Sequence, residues 1–416
     1  MLVDTAEAPW MRTLWLMVCV QFIMSVALSV MSPILPLFLP DIGVTDVSAI
    51  NFWSGLLNSL NFLISAFVSP LWGSIADRYG RKVMVLRSSL AICFFTLLMG
   101  FSQHLWQLVT LRVMMGAFSG FSASAIALVA TQMPERRLGY ALGWLATGQL
   151  VGNLTGPIAG GVIADITGDY RMTFYFTAVI SGIAVCLAYW GVSDSYNPDN
   201  GVHKVSVFDA FSALTKTQGL LPLFVVLLLA QFAVRAVQPV ITPFIQELVS
   251  TPNGIATLAG FAFSVTGVAD LIASPFLGKR SDTIGYRRVL IICLFGGALM
   301  SLPQAFVGSY WQFLALRFGI GMFIGGILPT ANALVGHLAP PSQRGLAYGV
   351  TASASFLGAF LGPFTGGAMA ATVGIRWVFV LTTGLFLANL VWVYRVVPEV
   401  RGKAEGEKWP QKGEER

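Results

Sequence analysis

Twelve long apolar runs occupy most of this 416-residue chain, and they leave it few folds to choose from. They span approximately 14–38, 50–72, 83–103, 105–130, 138–163, 171–191, 218–246, 254–277, 288–307, 311–333, 345–369 and 375–397. A run of about 18 or more apolar residues is long enough to cross a bilayer. In hydrocarbon every backbone N–H and C=O needs a partner within the protein, so such crossings are helices. The balance of residue types agrees: 56% are hydrophobic and 11% charged, where an ordinary soluble domain is about 25% charged. The first run, about 25 residues, exceeds the apolar stretch of a cleavable signal, about 7–15 residues, and so reads as a span. The fold class expected is an all-α membrane protein.

Charge placement predicts the orientation. Of 25 Lys and Arg, three (Arg112, Arg235, Arg317) fall deep inside spans. Arg171 and Arg376 lie in one set of alternate gaps, and the other 20 lie in the opposite set or at the ends. That asymmetry predicts a multi-pass protein of the cell (inner, cytoplasmic) membrane with both termini and the charged gaps on the cytoplasmic side. The net charge of +6 then reflects topology and anionic lipid. No basic stripe with interleaved aromatics occurs, so a nucleic-acid partner is not expected. Cys19, Cys93, Cys186 and Cys293 each fall in a different span and read as packing residues. His104, His203 and His337 lack metal-ligand spacing, so neither a metal nor a cofactor is expected. No nucleophile–base set or phosphate loop appears, which argues against an enzyme.

The chain is a duplication. Gly73-Ser-Ile-Ala-Asp77-Arg78-Tyr-Gly80-Arg81-Lys82 recurs in degenerate form at Gly278–Arg287, 205 positions later. At the same offset Gly55 matches Gly260, Ser69-Pro70 matches Ser274-Pro275, Trp106-Gln107 matches Trp311-Gln312, and Arg112, Gly116 and Gly120 match Arg317, Gly321 and Gly325. One residue further on, Gly152, Gly156, Pro157, Gly160 and Gly161 match Gly358, Gly362, Pro363, Gly366 and Gly367. The expected organisation is a six-helix bundle over 1–191, a cytoplasmic linker over 192–217 with a short surface helix at 205–214, a second six-helix bundle over 218–398, and a charged cytoplasmic tail over 399–416. Six helices per copy give both halves the same orientation, with a substrate site between them near the midplane.

Twelve spans in two repeats, with Gly73-x-x-x-Asp77-Arg78-x-Gly80-Arg81-Lys82 between the second and third, resemble the major facilitator superfamily. Gly148-x-x-x-Gly152-x-x-x-Gly156-Pro157-x-x-Gly160-Gly161 resembles the fifth-span motif of its antiporters. Leu108-x-x-x-Arg112-x-x-x-Gly116 resembles a motif of its drug:proton antiporter group. Among those groups the chain looks closest to bacterial twelve-span multidrug exporters. The resemblance implies a gating role for Asp77 and Arg81 and links Arg112 to proton coupling. Many members of that group carry an acid in the first span, where this chain has Ser25 and Ser29.

The motifs also read physically. Gly73 and Gly80 permit tight turns between helices, and Asp77, with Arg78, Arg81 and Lys82, is suited to latching helix ends. In the second copy Asp282 is kept, but Thr283 and Tyr286 replace arginines, which predicts a weaker latch. Gly148, Gly152, Gly156 and Gly160 share one helix face, a groove for close backbone approach, and Pro157 bends that span. This ridge suits sliding helices and equally suits static packing.

Buried polar residues are costly in lipid and tend to face a cavity. Gln21, Ser25, Ser29 and Ser32 form a stripe in the first span; Gln231, Arg235, Gln238 and Thr242 repeat it in the seventh. Ser54, Asn58, Asn61 and Ser65 line the second span, and Thr266, Asp270 and Ser274 the eighth. These stripes either converge on a water-filled path or join helices to one another. Asp270 is the one carboxylate well inside a span, and its repeat partner is Ser65. Arg235 likewise stands where the first half has Ser25, and we expect the two to pair or to exchange partners. Burial favours a neutral acid and a neighbouring cation favours the carboxylate, so an acid moving between such settings carries a proton. A static ion pair and direct substrate contact are the competing roles. Phe22, Phe261, Phe263, Phe356 and Phe360 supply aromatic walls.

The function expected is proton-coupled efflux of small lipophilic organic compounds by alternating access. We expect a monomer whose partners are a small-molecule substrate, protons and the lipid bilayer. Export of a specific metabolite or siderophore-like compound, and proton-linked nutrient uptake, are the alternatives, with a non-transporting sensor behind them.

Overall fold

The computed structural model describes residues 9–134, 137–192, 220–250, 254–338 and 344–399. The expected linker, its surface helix and the tail beyond 399 lie outside the described residues. For Gly73, Asp77 and Arg78 the backbone alone is described. The described residues form helices and no strand.

Among the described residues twelve crossings follow one another. Eight are single helices: the second (Val47–Tyr79), third (Arg81–Gly100), fifth (Leu138–Thr167), sixth (Arg171–Gly191), eighth (Ile255–Ile284), ninth (Tyr286–Ser301), eleventh (Arg344–Thr372) and twelfth (Ile375–Val396). Four are broken: the first into Pro9–Ser29 and Met31–Phe38, the fourth into Leu105–Ala117 and Phe121–Gln132, the seventh into Leu220–Ala236 and Ile241–Leu248, and the tenth into Tyr310–Ile324 and Ile327–Leu338. Eleven crossings are long and apolar enough to span a membrane. The remaining one, Leu138–Thr167, is equally long but carries the glycine ridge.

The breaks have local causes. Proline lacks the N–H that would bond the carbonyl four residues back, and its ring crowds that carbonyl. Pro33 acts this way on Ser29, the last residue of its helix, and Pro239 acts on Arg235, one residue before the seventh span breaks. In the fourth span Gly120 takes a left-handed φ of 106° that a side chain would resist.

The second and eighth helices run past their apolar stretches to Tyr79 and Ile284. Gly73 is therefore helical and makes no turn, contrary to expectation, because the helix continues past its apolar stretch, which ends at Val68, as far as Tyr79. The turns fall at Gly80 (φ 92°) and Gly285 (φ 101°), one in each copy.

Within each half the glycine ridge brings backbones together. A Cβ on Gly152 would stand 2.5 Å from the Phe22 carbonyl oxygen, and one on Gly156 2.7 Å from that of Val26. In the eleventh span Gly362 meets the Phe232 carbonyl in the same way, at 2.9 Å. The ridges thus seat the fifth span on the first and the eleventh on the seventh.

The halves meet across two crossings. Gly55 of the second span faces Pro363 and Gly367 of the eleventh, and Pro157 and Gly161 of the fifth face Gly260 and Ala256 of the eighth. Three hydrogen bonds reinforce them: Ser264 Oγ to the Leu154 carbonyl (2.5 Å), Thr242 Oγ1 to the Pro33 carbonyl (2.9 Å), and the Thr257 amide to Asp165 Oδ2 (2.8 Å). All belong to the end bearing the Leu39–Val44 turn. At the opposite end, toward the Gly80 and Gly285 junctions, added Cβ atoms on Gly139, Gly143 and Gly349 would meet nothing within 4 Å. The halves therefore flank a cleft, closed at the turn end and open at the junction end.

Candidate functional site

At the apex of the cleft the seventh span presents Arg235 just before its break. The guanidinium lies 5.0 Å from the Phe62 ring of the second span and donates from Nη1 to Gln238 Oε1 at 3.3 Å. A cation over an aromatic face, shared between the two halves, is an attractive contact. Asn58, one turn from Phe62, donates to the Ser54 carbonyl at 3.0 Å and is half-buried. Gln231 and Gln238 are half-buried as well. The second and seventh spans thus bring Asn58, Phe62, Gln231, Arg235 and Gln238 to one region.

Asp270 lies on the eighth span between the face that meets the fifth (Gly260, Ser264, Gly267) and the face that meets the tenth (Thr266, Ala269). The exposed stripe of that helix, Phe261, Val268, Ile272 and Phe276, lies on the other side. Asp270 is half-buried and rests against Gly325, where the tenth span breaks. Among the described residues it accepts no hydrogen bond and forms no ion pair. The one ion pair there joins Arg288 to Glu399, at 2.9 Å. In this conformation, then, Arg235 and Asp270 do not pair; the guanidinium is engaged by Phe62 and Gln238 instead.

Several expected cavity residues sit elsewhere. Gln21 and Ser25 are buried, 1% and 4% exposed, because Gly152 lets the fifth span press onto the first. Gln21 Nε2 donates to Ser25 Oγ (3.4 Å) and to Ser122 Oγ (3.3 Å), so this half of the stripe joins helices rather than lining the cleft. Phe261 belongs to the exposed outer stripe of the eighth span, away from the cleft. Phe360 stacks on Phe364 at 6.0 Å, and Phe364 meets Phe52 at 6.5 Å, forming a ring seam between the halves. Phe356 is exposed on that face nearer the open end, where the halves have parted.

Arg112 is buried in the first half, with no carboxylate partner among the described residues. Asn61 serves it instead: with its amide turned to suit, Asn61 donates to the Arg112 carbonyl (2.8 Å) and accepts from Nη1 (3.2 Å). Nη2 lies 3.4 Å from Met31 Sδ, and Nε has no partner. Asn61 therefore supports an arginine rather than facing the cleft unengaged.

At the junctions the two copies diverge. Arg81 donates from Nη1 to the Ala127 carbonyl (3.0 Å), tying the third span to the fourth, and Lys82 Nζ donates to the Tyr189 carbonyl (2.8 Å). In the second copy the Tyr286 hydroxyl donates to Asp282 Oδ1 (2.7 Å) and lies 2.7 Å from His337 Nε2 on the tenth span. Tyrosine thus spans the same pair of helices that Arg81 spans in the first copy.

Sequence reasoning also passed over Arg87. Counted there with the junction charges, it stands inside the third span with its guanidinium 3.5 Å from the Trp72 ring, donating from Nη2 to the Ser119 carbonyl at 3.0 Å. Its place inside the apolar run 83–103 was the available signal.

The Major Facilitator Superfamily profile matches residues 17–250 and 223–413. The chain belongs to the major facilitator superfamily. Relatives of this superfamily member include the protein called multidrug resistance protein MdtG in Salmonella arizonae, 38% identical over 383 residues, covering 92% of this chain and 95% of the relative. The MdtG of Salmonella typhimurium is 38% identical over the same extent. Among solved structures, a point mutant of the nucleoside transporter NupG aligns with a TM-score of 0.75 at 12% identity, covering 92% of this chain and 99% of that one. A bacterial homologue of the human lysosomal transporter Spinster, in an inward-facing and unoccupied conformation, aligns with a TM-score of 0.74 at 13% identity, covering 94% and 97%. Those two likenesses establish the fold. This superfamily member is a multi-pass membrane protein and a secondary transporter.

Proposed function

We propose that this chain exports small lipophilic organic compounds in exchange for protons, by alternating access. The observation that carries the reading is Asp270: a single carboxylate deep in a span, turned from the exposed stripe of its helix and uncommitted to any described partner. The extent of the likeness to the multidrug resistance proteins, over nine-tenths of both chains, supports the drug class. Lys and Arg placement supports an inner-membrane location with the junctions and both termini cytoplasmic, which makes the cleft in this structure open to the cytoplasm. The half-boundaries at 191 and 218 follow the duplication, and the working unit is a monomer.

In this scheme the cytoplasm-facing cleft takes up substrate beside Asn58, Gln231 and Phe356. Arg235 and Asp270 lie near the apex, uncoupled from one another. A proton entering from the opposite face neutralises Asp270, and release into the cytoplasm leaves a carboxylate that Arg235 attracts. Arg112, held by Asn61, keeps a positive charge in the first half through the cycle. Arg81, with the Asp77 and Arg78 of its motif, latches the cytoplasmic helix ends.

The test is transport by the full chain in proteoliposomes with an imposed pH gradient and a panel of dyes and antibiotics. Export is expected to rise when the side corresponding to the cell exterior is acidified. Asp270→Asn is expected to abolish that dependence while leaving substrate binding measurable. Gradient-driven export that survives Asp270→Asn would remove the acid from the mechanism.

A further inference from the structure

The duplication places two broken spans in equivalent positions, and their surroundings differ. Breaking a helix frees backbone carbonyls, which need donors when buried. In the fourth span three side chains from neighbouring helices supply them, beside Ser119 Oγ, which donates to the Gly116 carbonyl at 3.1 Å. Trp72 Nε1 donates to the Ala117 carbonyl at 2.7 Å, Ser65 Oγ donates to the Gly116 carbonyl at 3.1 Å, and Arg87 donates to that of Ser119. Ser65 and Ser119 also share a hydrogen bond of 2.5 Å between their hydroxyls. Arg87 is stacked on Trp72, so the donors brace one another. The elbow is held from two neighbouring helices.

At the offset of 205 the counterparts of Ser65, Trp72, Arg87, Ser119 and Gly120 are Asp270, Leu277, Ile292, Ile324 and Gly325. Leu277 and Ile292 donate nothing, and Ile292 is exposed. Of these counterparts only Asp270 keeps a polar side chain at the break, where its Oδ1 and backbone abut Gly325. A carboxylate only accepts hydrogen bonds, whereas a carboxylic acid donates one, as Ser65 does. The ionisable and charged groups around Asp270 are few. The tenth span brings Arg317 and the ninth brings Cys293, whose sulfur lies at Gly326; His337, at the junction end, is engaged by Tyr286, and Arg235 of the seventh is engaged by Phe62 and Gln238. The facing part of the fifth span, Leu154 to Gly161, brings none.

The geometry points to a division of labour: the fourth-span elbow is fixed by Ser65, Trp72 and Arg87 as positioning residues, whereas the tenth-span elbow at Gly325–Gly326 bends according to whether Asp270 carries a proton. Protonated, Asp270 donates to a carbonyl freed at the break and steadies it. Ionised, it leaves those carbonyls without a donor and the two half-helices pivot. The hinge assignment rests on the coupling role given to Asp270 above and adds where the proton acts.

Double electron–electron resonance on the full chain in lipid nanodiscs tests it, with the four native cysteines replaced. One spin-label pair brackets the fourth-span break (Thr110→Cys with Ala123→Cys), and its repeat counterpart brackets the tenth (Ala315→Cys with Leu328→Cys). The tenth-span distance is expected to shift between acidic and alkaline buffer, the fourth-span distance to stay put, and Asp270→Asn to fix the tenth-span pair at its acidic value. Trp72→Phe, a mild change that removes one donor, is expected to broaden the fourth-span distribution without moving the tenth. A tenth-span distance that ignores pH, both pairs shifting alike, or a shift that persists in Asp270→Asn would each overturn the hinge. Transport by the same variants separates the two claims. If Asp270→Asn loses coupled export while its tenth-span distance still moves, the hinge fails and the coupling role stands; if coupled export survives, the coupling role fails first.

Discussion

At the scale of single residues, how each buried charge is accommodated separates roles that look alike in sequence. Arg112 and Arg235 are both arginines inside spans, yet one is held by an amide within its own half and the other reaches across to a ring in the opposite half. Asn61→Leu is expected to strip Arg112 of two hydrogen bonds and to cost about 1–3 kcal/mol, the usual penalty for leaving buried polar groups unserved. A lowered unfolding temperature in detergent, with Asn58→Leu close to wild type, is the measurement that checks it. Phe62→Leu is expected to remove the ring beneath Arg235 at a cost of roughly 0.5–2 kcal/mol. It should raise the apparent KM more than it changes folding, a difference that equilibrium substrate binding alongside thermal unfolding can read. How legible these residues were follows from the same distinction. Asp270 stood out because an acid in a span is rare and costly. Gln21 and Ser25 were misplaced because helical spacing reveals which residues share a face but not which neighbour that face meets. Arg87 was hidden because, near a charged junction, an arginine turned inward and one turned to water look the same in sequence.

At the scale of helices, glycine does more than loosen the chain. Gly152 and Gly156 admit the first span's carbonyls at distances a side chain would forbid. Gly156→Val is expected to cost about 1–3 kcal/mol through overpacking, with loss of folded protein in size-exclusion chromatography. Gly139→Val, at the open end where nothing stands within 4 Å, is expected to be tolerated. The helix pattern itself was legible almost throughout, because hydropathy, proline and the repeated glycines all point to the same boundaries. What could not be read was that four of the twelve crossings are broken. Pro33 and Pro239 announce two breaks, but Gly120 and Gly325 are ordinary glycines until a backbone angle or a neighbouring Asp270 gives them meaning.

At the scale of the whole molecule, the two halves are fastened at one end and parted at the other, and the fastening is sparse: three hydrogen bonds, a ring seam, the Arg235 guanidinium over Phe62 and two glycine-lined crossings. Among the described residues no ion pair joins the halves. Substituting Gly55 by Leu is expected to pry the closed end apart and shift the population toward the opposite conformation. Reactivity of a cysteine placed at Ser264 toward a membrane-impermeant thiol reagent, added from the turn side, is expected to rise. Unchanged labelling would show that the crossing does not set the balance.

That crossing has an implication for how such a protein changes over generations. Where Gly55 and Gly367 touch, each half contributes bare main chain, so one extra methyl group on either side alters how long the doorway stays shut while leaving every cleft-lining group untouched. Natural variation there would therefore retune the tempo and resting posture of the pump without rewriting its list of cargoes, a cheap dial set well apart from the costly lock.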